Sequence, residues 1–410
     1  MRRLVNEIAP RHPVGWTFCA NPLFLQHRII VDETSQIDQY HRMEHRFRTL
    51  NLELSSACNF DCSYCPEHKM TRKKSLIEYD LAINLLDQIK EMNLTGEINF
   101  YHMGESLLHK RALDIFAHAK KLGLRIKLNT NGSRLTPEMR KSLLELDIEN
   151  LSISYHSSFV KFNKFATFQS PISFEKWHEQ ILATVEDRYK YNSKSQISII
   201  LFKASRALQK EQLEDVRLLE TDEEVEEALE VWFELGKKLS RQYDLPYLHD
   251  RDTRSMARRI MHTVFDRANK GFPIIPGFSV SLIKVHTWSN DVVCTKLADR
   301  PIKQARFGGC DALSDSMAIF ADGSYSLCCA DWDGKVVVGT AHSQSLQEFL
   351  DSEKATYIRD SFKKGKLVMD YCKQCRGGFT TKSWAFNQAH SYVYYNIKSY
   401  RKLRNRFNMD

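Results

Sequence analysis

The chain has 410 residues, of which 42% are hydrophobic, so it is long enough for two or three domains with hydrophobic cores. It contains neither a run of 18 apolar residues nor an apolar segment behind the basic N-terminus, and we therefore expect a cytoplasmic protein with no membrane association. The net charge is +8, and because no basic stripe runs along the chain we expect no nucleic-acid partner.

The first part of the chain divides into a short irregular segment and a regular one. Residues 1–48 are mixed in character and are expected to form a small N-terminal cap. From residue 49, six short apolar runs rich in β-branched residues alternate with helical periods. The predicted strands are 50–54, 97–103, 124–130, 150–156, 196–202 and 278–286. Strands that alternate with helices predict a parallel sheet, here spanning residues 49–290.

Helix start signals lie between these strands. Ser75 with Glu78 predicts a capping box, and Thr136 before Pro137 predicts an N-cap followed by proline at the first helical position. About 75 residues separate the fifth and sixth strands, more than one crossover helix needs. Residues 205–272 are therefore expected to be a helical insertion. Within it, Thr221 and Glu224 predict a second capping box at the start of an acidic helix.

After the sixth strand the sequence changes character, because cysteines reappear and glycines cluster. Short strands are predicted at 316–320, 325–327 and 335–338, around turns such as Asp322-Gly323. We expect residues 291–380 to form a second, smaller domain. Residues 381–410 are expected to be a basic C-terminal tail or helix, whose charges fit a solvated face better than contact with an anionic partner.

Three cysteines follow the first predicted strand in a C-x3-C-x2-C spacing: Cys58, Cys62 and Cys65. A structural zinc site would need four ligands, whereas three cysteines on a cubic iron-sulfur cluster leave the fourth iron open to a ligand that reacts. This spacing, with Tyr64 before the third cysteine, resembles the cluster loop of the radical S-adenosylmethionine (SAM) superfamily. The resemblance implies a partial (β/α)6 barrel, a SAM-binding [4Fe-4S] cluster, and reductive cleavage of SAM to a 5′-deoxyadenosyl radical.

The same resemblance implies SAM-binding residues at the ends of the next strands. Residues 102–106 (HMGES) resemble the family's Gly-Gly-Glu-Pro motif, in which Gly104 allows close backbone approach and Glu105 offers a carboxylate to the SAM ammonium. Asn131 lies in a Thr-Asn-Gly turn seen in many relatives, although a plain Asn-Gly turn explains it equally well. Ser154, near the end of the fourth strand, corresponds to a serine that contacts SAM.

A second cysteine set indicates the subclass. Cys310, Cys328, Cys372 and Cys375 form a C-x12-G-x4-C pattern followed by C-x2-C. This pattern resembles the auxiliary-cluster domain called SPASM, and more closely its short twitch form, which implies a small β-hairpin domain with a second [4Fe-4S] cluster. A structural zinc ribbon is the alternative, and Cys329 is an alternative ligand to Cys328.

Weaker candidates lie at the end of the sixth strand and after it. Lys284 and His286 would point into the barrel mouth as substrate contacts, unless they are only packed there. Cys294 is a candidate hydrogen donor, weighed against a buried thiol with a packing role.

The resemblance implies hydrogen abstraction from a substrate carbon, and we expect oxidation or epimerisation of a sugar or aminocyclitol in a biosynthetic pathway. The expected partners are this small molecule and a reducing protein such as flavodoxin or ferredoxin. Modification of a ribosomally made peptide is the alternative enzyme function. A non-catalytic iron-sulfur or zinc scaffold is the alternative outside enzymes.

Overall fold

The structure is a computed structural model that describes residues 47–62, 65–156, 172–203, 219, 221–248, 270–284, 301–310 and 312–396. The predicted N-terminal cap, most of the predicted insertion and the end of the basic tail lie outside the described residues. Within the described part, no helix is long and apolar enough to span a membrane.

Ten strands in the described ranges form one mixed sheet. In chain order they are β1 (Thr49–Leu52), β2 (Glu97–Phe100), β3 (Arg125–Thr130), β4 (Asn150–His156), β5 (Gln196–Lys203), β6 (Lys270–Ile275), β7 (Phe278–Lys284), β8 (Ser316–Ile319), β9 (Ser324–Ser326) and β10 (Val337–Thr340). Their order across the sheet is β10-β9-β8-β1-β2-β3-β4-β5-β7-β6. The six strands β1, β2, β3, β4, β5 and β7 are parallel neighbours, as the (β/α)6 prediction requires.

Nine helices accompany the sheet in the described residues. They are α1 (Tyr79–Glu91), α2 (Ala112–Lys121), α3 (Pro137–Glu145), α4 (Phe174–Lys190), α5 (Asp222–Gln242), α6 (Leu346–Asp351), α7 (Glu353–Lys363), α8 (Asp370–Cys375) and α9 (Thr381–Asn396). Helices α1 to α4 alternate with the first strands and bury apolar side chains in the same core as alternate strand residues. This alternation is the βα pattern predicted from the sequence, and the fold class is confirmed.

Two local predictions need correction. Ser75 does not cap α1: the helix starts after Glu78, which makes no side-chain cap, and the backbone of Ser75 instead pairs with Ser56. Strand β6 was missed because Pro273 disfavours a strand interior, but β6 is an edge strand antiparallel to β7, where proline is tolerated. The caps at Thr136 and Thr221 are confirmed.

The segment predicted as a second domain shares the sheet with the first. Strands β8 and β9 form the predicted antiparallel hairpin, and β8 pairs in parallel with β1 along four residues. The backbone and side chain of Arg48 are also fixed to Asp315, just before β8. The auxiliary segment therefore lies directly beside the strand that leads into the first cysteine loop.

The two faces of the parallel sheet differ in polarity. One face packs on the helices, whereas the alternate residues on the other face are polar and largely buried. In the strand register Asn51 faces Asn99, Asn129 faces Ser152, and Ser152 faces Ser198. We call these residues, which lie at two successive levels of the sheet, together with Ser279 opposite Ser198 and Ser281 two residues further along β7, the inner polar row.

Candidate functional site

The three cysteines of the first motif lie on the loop that leaves the carboxyl end of β1. All three are half-buried. The Cys65 N–H donates to the Cys62 carbonyl oxygen at 2.8 Å, which closes the C-x2-C turn, and a 3₁₀ helix (Pro66–Lys69) follows at once. The loop thus presents its thiols at the edge of the sheet where parallel βα folds build their sites. Tyr64 lies outside the described residues.

Gly104 holds the next strand end against this loop. Its φ is +68°, and a Cβ placed on it would lie 2.6 Å from the Ala57 oxygen and 2.7 Å from the Ser56 carbonyl carbon, besides meeting the Ser55 oxygen. Only glycine fits at this position. The sequence predicted close approach to SAM, and the close approach within the described residues is to the backbone of the cysteine loop.

Glu105 is a buried carboxylate that accepts three hydrogen bonds. Its oxygens accept from the Leu107 N–H at 3.0 Å, the Thr130 hydroxyl at 2.9 Å and the Asn131 N–H at 2.7 Å. Burial raises the pKa of Glu105, and these hydrogen bonds oppose the rise. A carboxylate has about four lone-pair sites, so one acceptor site remains, and its predicted contact with the SAM ammonium stays a prediction.

Asn131 connects the turn after β3 to the cysteine loop. Its side-chain amide donates to the Asn59 oxygen at 2.9 Å and lies 3.7 Å from the Cys58 sulfur. Asn59 in turn donates to Ser133 at 2.8 Å, and the Trp177 indole donates to the Asn131 carbonyl at 2.8 Å. The Thr-Asn-Gly turn therefore fixes the loop that carries the cysteines, a role that sequence analysis did not anticipate.

The Cys58 thiol lies in an environment that disfavours a bare thiolate. Burial, together with the nearby Glu105 carboxylate, raises the pKa of Cys58 to about 11. A metal that replaces the thiol proton supplies the positive charge that this site lacks. The donor set therefore suits a bound metal better than a free anion.

The structure describes only some of the remaining predicted residues. Ser154 is half-buried on β4, and its hydroxyl lies 3.4 Å from the Asn129 oxygen on the polar face. Lys284 ends β7, but its side chain, like His286 and Cys294, lies outside the described residues. The roles predicted for these four residues stay predictions.

A buried ion pair next to the loop was missed. The Arg72 guanidinium donates to both oxygens of Glu53, at 2.8 and 2.6 Å, and Glu53 also accepts the backbone N–H groups of Met103 and Ala321, each at 3.0 Å. The Glu53 side chain is 0% exposed and that of Arg72 8%. A glutamate between Leu52 and Leu54 was the available signal, because it continues the polar side of the alternation. No pattern in the sequence pointed to Arg72.

The same arginine reaches the auxiliary segment. Its Nε donates to the Trp332 carbonyl at 3.0 Å, and its backbone N–H donates to the Asp333 carboxylate at 3.1 Å. Trp332 is buried with Met103, and Cys65 packs against this pair. We refer to Glu53, Arg72, Trp332 and Asp333 as the clamp, because they join the first cysteine loop to the segment that follows β9.

His102 ties the same two segments together at a second point. Its Nε2 lies 2.8 Å from the Asp331 carbonyl oxygen. Because a carbonyl oxygen can only accept, Nε2 is the donor in this contact, and burial lowers the pKa of His102. The Asp331 carboxylate meanwhile accepts from Ser326, Lys335 and Val336, which fixes the turn after β9.

The second cysteine set lies on three segments that hydrogen bonds draw together. Cys372 and Cys375 share one face of α8, three residues apart. The Tyr371 hydroxyl, beside Cys372, donates to the Ala330 carbonyl at 3.0 Å, two residues after Cys328. The Ala305 N–H donates to the Lys373 carbonyl at 2.8 Å, which holds the segment that ends at Cys310. Cys328, Cys329, Cys372 and Cys375 are buried, and Cys310 is half-buried.

The chemistry of both donor sets fits iron-sulfur clusters. Among the described residues no three His, Cys, Asp or Glu side chains converge on one metal position, and a cubic cluster instead binds each cysteine through a different iron. The donors are thiols alone, in buried or half-buried positions close to backbone N–H groups such as those of Phe60 and Ala330. Hydrogen bonds of this kind to the sulfurs tune such clusters.

Two family models match the chain at these sites. Residues 52–205 match the radical SAM superfamily, and residues 310–376 match SPASM, an iron-sulfur cluster-binding domain. The chain therefore contains a radical SAM domain. The cofactors of this radical SAM protein are accordingly SAM, a SAM-binding [4Fe-4S] cluster and auxiliary iron-sulfur binding in the SPASM region. The twitch subclass, with a single auxiliary cluster, stays a prediction.

Two curated relatives each match about a quarter of this radical SAM protein. It is 34% identical over 100 residues to a tungsten-containing aldehyde ferredoxin oxidoreductase cofactor-modifying protein of Pyrococcus furiosus, covering 24% of this chain and 28% of the relative. It is 32% identical over 120 residues to an S-adenosyl-L-methionine-dependent 2-deoxy-scyllo-inosamine dehydrogenase of Niallia circulans, covering 28% and 47%. The matched stretch therefore spans less than half of either relative.

Two solved structures are similar to this radical SAM protein over most of its length. The complex of BtrN with AdoMet and 2-DOIA has a TM-score of 0.42 and 17% identity, covering 78% of this chain and 88% of that chain. SuiB of Streptococcus suis, bound to the precursor peptide SuiA, has a TM-score of 0.49 and 13% identity, covering 78% and 68%.

Proposed function

We propose that this radical SAM enzyme oxidises or epimerises a carbinol carbon of a small polyhydroxylated molecule, of the sugar or aminocyclitol type. The inner polar row carries the proposal. The similarity of one stretch to a dehydrogenase that acts on 2-deoxy-scyllo-inosamine supports it. A biosynthetic role and a flavodoxin or ferredoxin as reducing partner belong to the same proposal.

The inner polar row offers hydroxyl and amide groups, which can form hydrogen bonds with a polyhydroxylated substrate; an apolar substrate would instead need aliphatic side chains. The Asn99 amide donates to the Asn51 oxygen at 3.1 Å, and the Ser198 and Ser281 hydroxyls lie 3.2 Å apart. Within the described residues, the Asn51 Nδ2 and the Asn99 Oδ1 are buried without a hydrogen-bond partner. A donor beside an acceptor is the pair that a hydroxyl group satisfies, and unmade buried hydrogen bonds are costly.

The bound cofactors supply a 5′-deoxyadenosyl radical for hydrogen abstraction and an acceptor for the electron left on the substrate. In this proposal Cys58, Cys62 and Cys65 hold the first cluster. Gly104, Glu105, Asn131 and Ser154 shape the adjoining SAM site, with Tyr64 beside the third cysteine. Cys310, Cys328, Cys372 and Cys375 hold the auxiliary cluster. Lys284, His286 and Cys294 remain candidates for contact with the substrate.

The first test asks whether SAM is cleaved. Anaerobically reconstituted protein is mixed with SAM and dithionite, and 5′-deoxyadenosine is measured by mass spectrometry. The matched control replaces Cys58, Cys62 and Cys65 by alanine, and it should retain about four irons in the auxiliary site. Failure to form the nucleoside would favour a scaffold role, and zinc in the control protein would contradict the auxiliary cluster.

The second test asks what the radical attacks. Sugars and aminocyclitols, including 2-deoxy-scyllo-inosamine, are supplied with deuterium at each carbinol carbon, and transfer into 5′-deoxyadenosine identifies the attacked position. A ketone product indicates oxidation, and inverted configuration indicates epimerisation. Deuterium transfer from a peptide, with none from any polyol, would replace this proposal by peptide modification.

A further inference from the structure

An exposed surface beside the auxiliary cysteines combines cations with aromatic rings. The Lys303 ammonium lies 4.1 Å, and the Arg306 guanidinium 5.7 Å, from the Trp384 ring centroid. The rings of Phe307 and Tyr392 meet edge to face at 6.2 Å and are 37% and 55% exposed. We call these five residues the basic aromatic face.

Within the described ranges, no acidic side chain pairs with the cations of this face. Lys303 and Arg306 form no ion pair with any residue that the structure describes. Residues 301–310 and α9 contain no aspartate or glutamate. Exposed aromatic side chains beside arginine are the composition of interface hot spots, and an uncompensated positive field favours an acidic partner.

The position of the face indicates what kind of acidic partner it fits. The segment that carries Lys303 and Arg306 ends at Cys310. Its Ala305 N–H donates at 2.8 Å to the carbonyl of Lys373, which lies between Cys372 and Cys375 on α8. Helix α9 is tied to the same region, since the Asn387 amide donates to the Gly377 carbonyl at 2.6 Å. A protein seated on this face would therefore lie next to the auxiliary cluster.

We propose that the basic aromatic face is the docking site of an acidic electron-transfer protein of the flavodoxin type. The reduced auxiliary cluster loses one electron, and the oxidised flavin of the partner gains that electron and one proton from solvent to form the neutral semiquinone. The inference rests on the auxiliary cluster in the proposed function and is independent of the substrate. Nucleic acid is the competing occupant, but nucleic-acid binding would not require the face to lie beside the auxiliary cysteines.

The experiment compares electron transfer to a protein and to a small molecule. Reconstituted, reduced protein, freed of dithionite, is mixed by stopped flow with oxidised flavodoxin or with an uncharged quinone. The charge-reversal variant is Lys303→Glu/Arg306→Glu. We expect the rate with flavodoxin to fall at least about tenfold at low salt, because steering by charge is lost, and to become nearly independent of salt. The rate with the quinone should not change.

The matched control is Lys190→Glu/Lys194→Glu, which makes the same charge change at the end of α4 and the start of β5, on two exposed lysines. An equal loss of rate in the control would overturn the docking site, because it would reflect net charge alone. An unchanged rate in the charge-reversal variant would also overturn it, as would a loss of oligonucleotide binding without any effect on flavodoxin. Repeating the measurement without Cys58, Cys62 and Cys65, with iron analysis, separates this result from failure of the auxiliary cluster itself.

Discussion

Replacing Arg72 by leucine should destabilise the protein strongly, because it leaves the Glu53 carboxylate buried without its counter-ion. Glu53 is fully buried and would keep only two backbone donors, the N–H groups of Met103 and Ala321. Removing one partner of a buried ion pair costs about 3–5 kcal/mol. With an unfolding entropy of about 2.1 cal/mol/K per residue over 410 residues, this predicts a fall in Tm of about 4–6 °C.

The assay is thermal and urea unfolding of the apoprotein followed by circular dichroism, so that cofactor loss does not distort the transition. The double variant Glu53→Gln/Arg72→Leu removes the charge as well and should recover part of the loss. Lys141→Leu is the control, because its ion pair with Glu145 is exposed and should contribute at most about 0.5 kcal/mol. A loss below about 1 kcal/mol for Arg72→Leu, or no recovery in the double variant, would refute the reasoning.

Three further changes test the site. Gly104→Ala forces a Cβ onto the Ser56–Ala57 backbone at a positive φ. We expect the free energy of unfolding to fall by about 1–3 kcal/mol and the cluster to load poorly, as measured by unfolding and iron content. Asn131→Ala should lower iron loading with little change in Tm; equal loading would show that the amide does not position the loop. Burial lowers the pKa of His178, whose Nδ1 lies 2.6 Å from the Tyr155 hydroxyl oxygen. Because the unfolded state then binds more protons, stability should fall as the pH drops below about 6.5, and a His178→Phe variant should show a flatter profile.

The parts of the fold that follow from local patterns could be predicted. Alternating apolar runs predicted the six parallel strands, because each run lies within a few neighbouring residues, and both cysteine sets were recognised by their spacing. Strand β6 was missed because Pro273 is tolerated only at the edge of a sheet, and an edge position depends on how the whole sheet is assembled.

The contacts that were missed join residues far apart in the chain. Arg72 meets Asp333 across 261 positions, and nothing near Arg72 distinguishes it from a surface cation. Glu105 shows the same limit in another form, because its motif predicted a ligand contact while its bonds to Thr130 and Asn131 depend on the adjacent strand. Sequence motifs thus pointed to these residues but not to the contacts that hold them.

The pairing of β1 with β8 also bears on how the chain is made. Strand β1 leaves the ribosome more than 250 residues before β8, its neighbour on that side. Until then it presents an open strand edge, the kind of edge that pairs with other chains. Contacts of such long sequence separation form slowly. A chain shortened before β8 would keep the first three cysteines yet expose that edge and lose the Ala321 N–H from Glu53, so the radical SAM segment should aggregate when expressed alone.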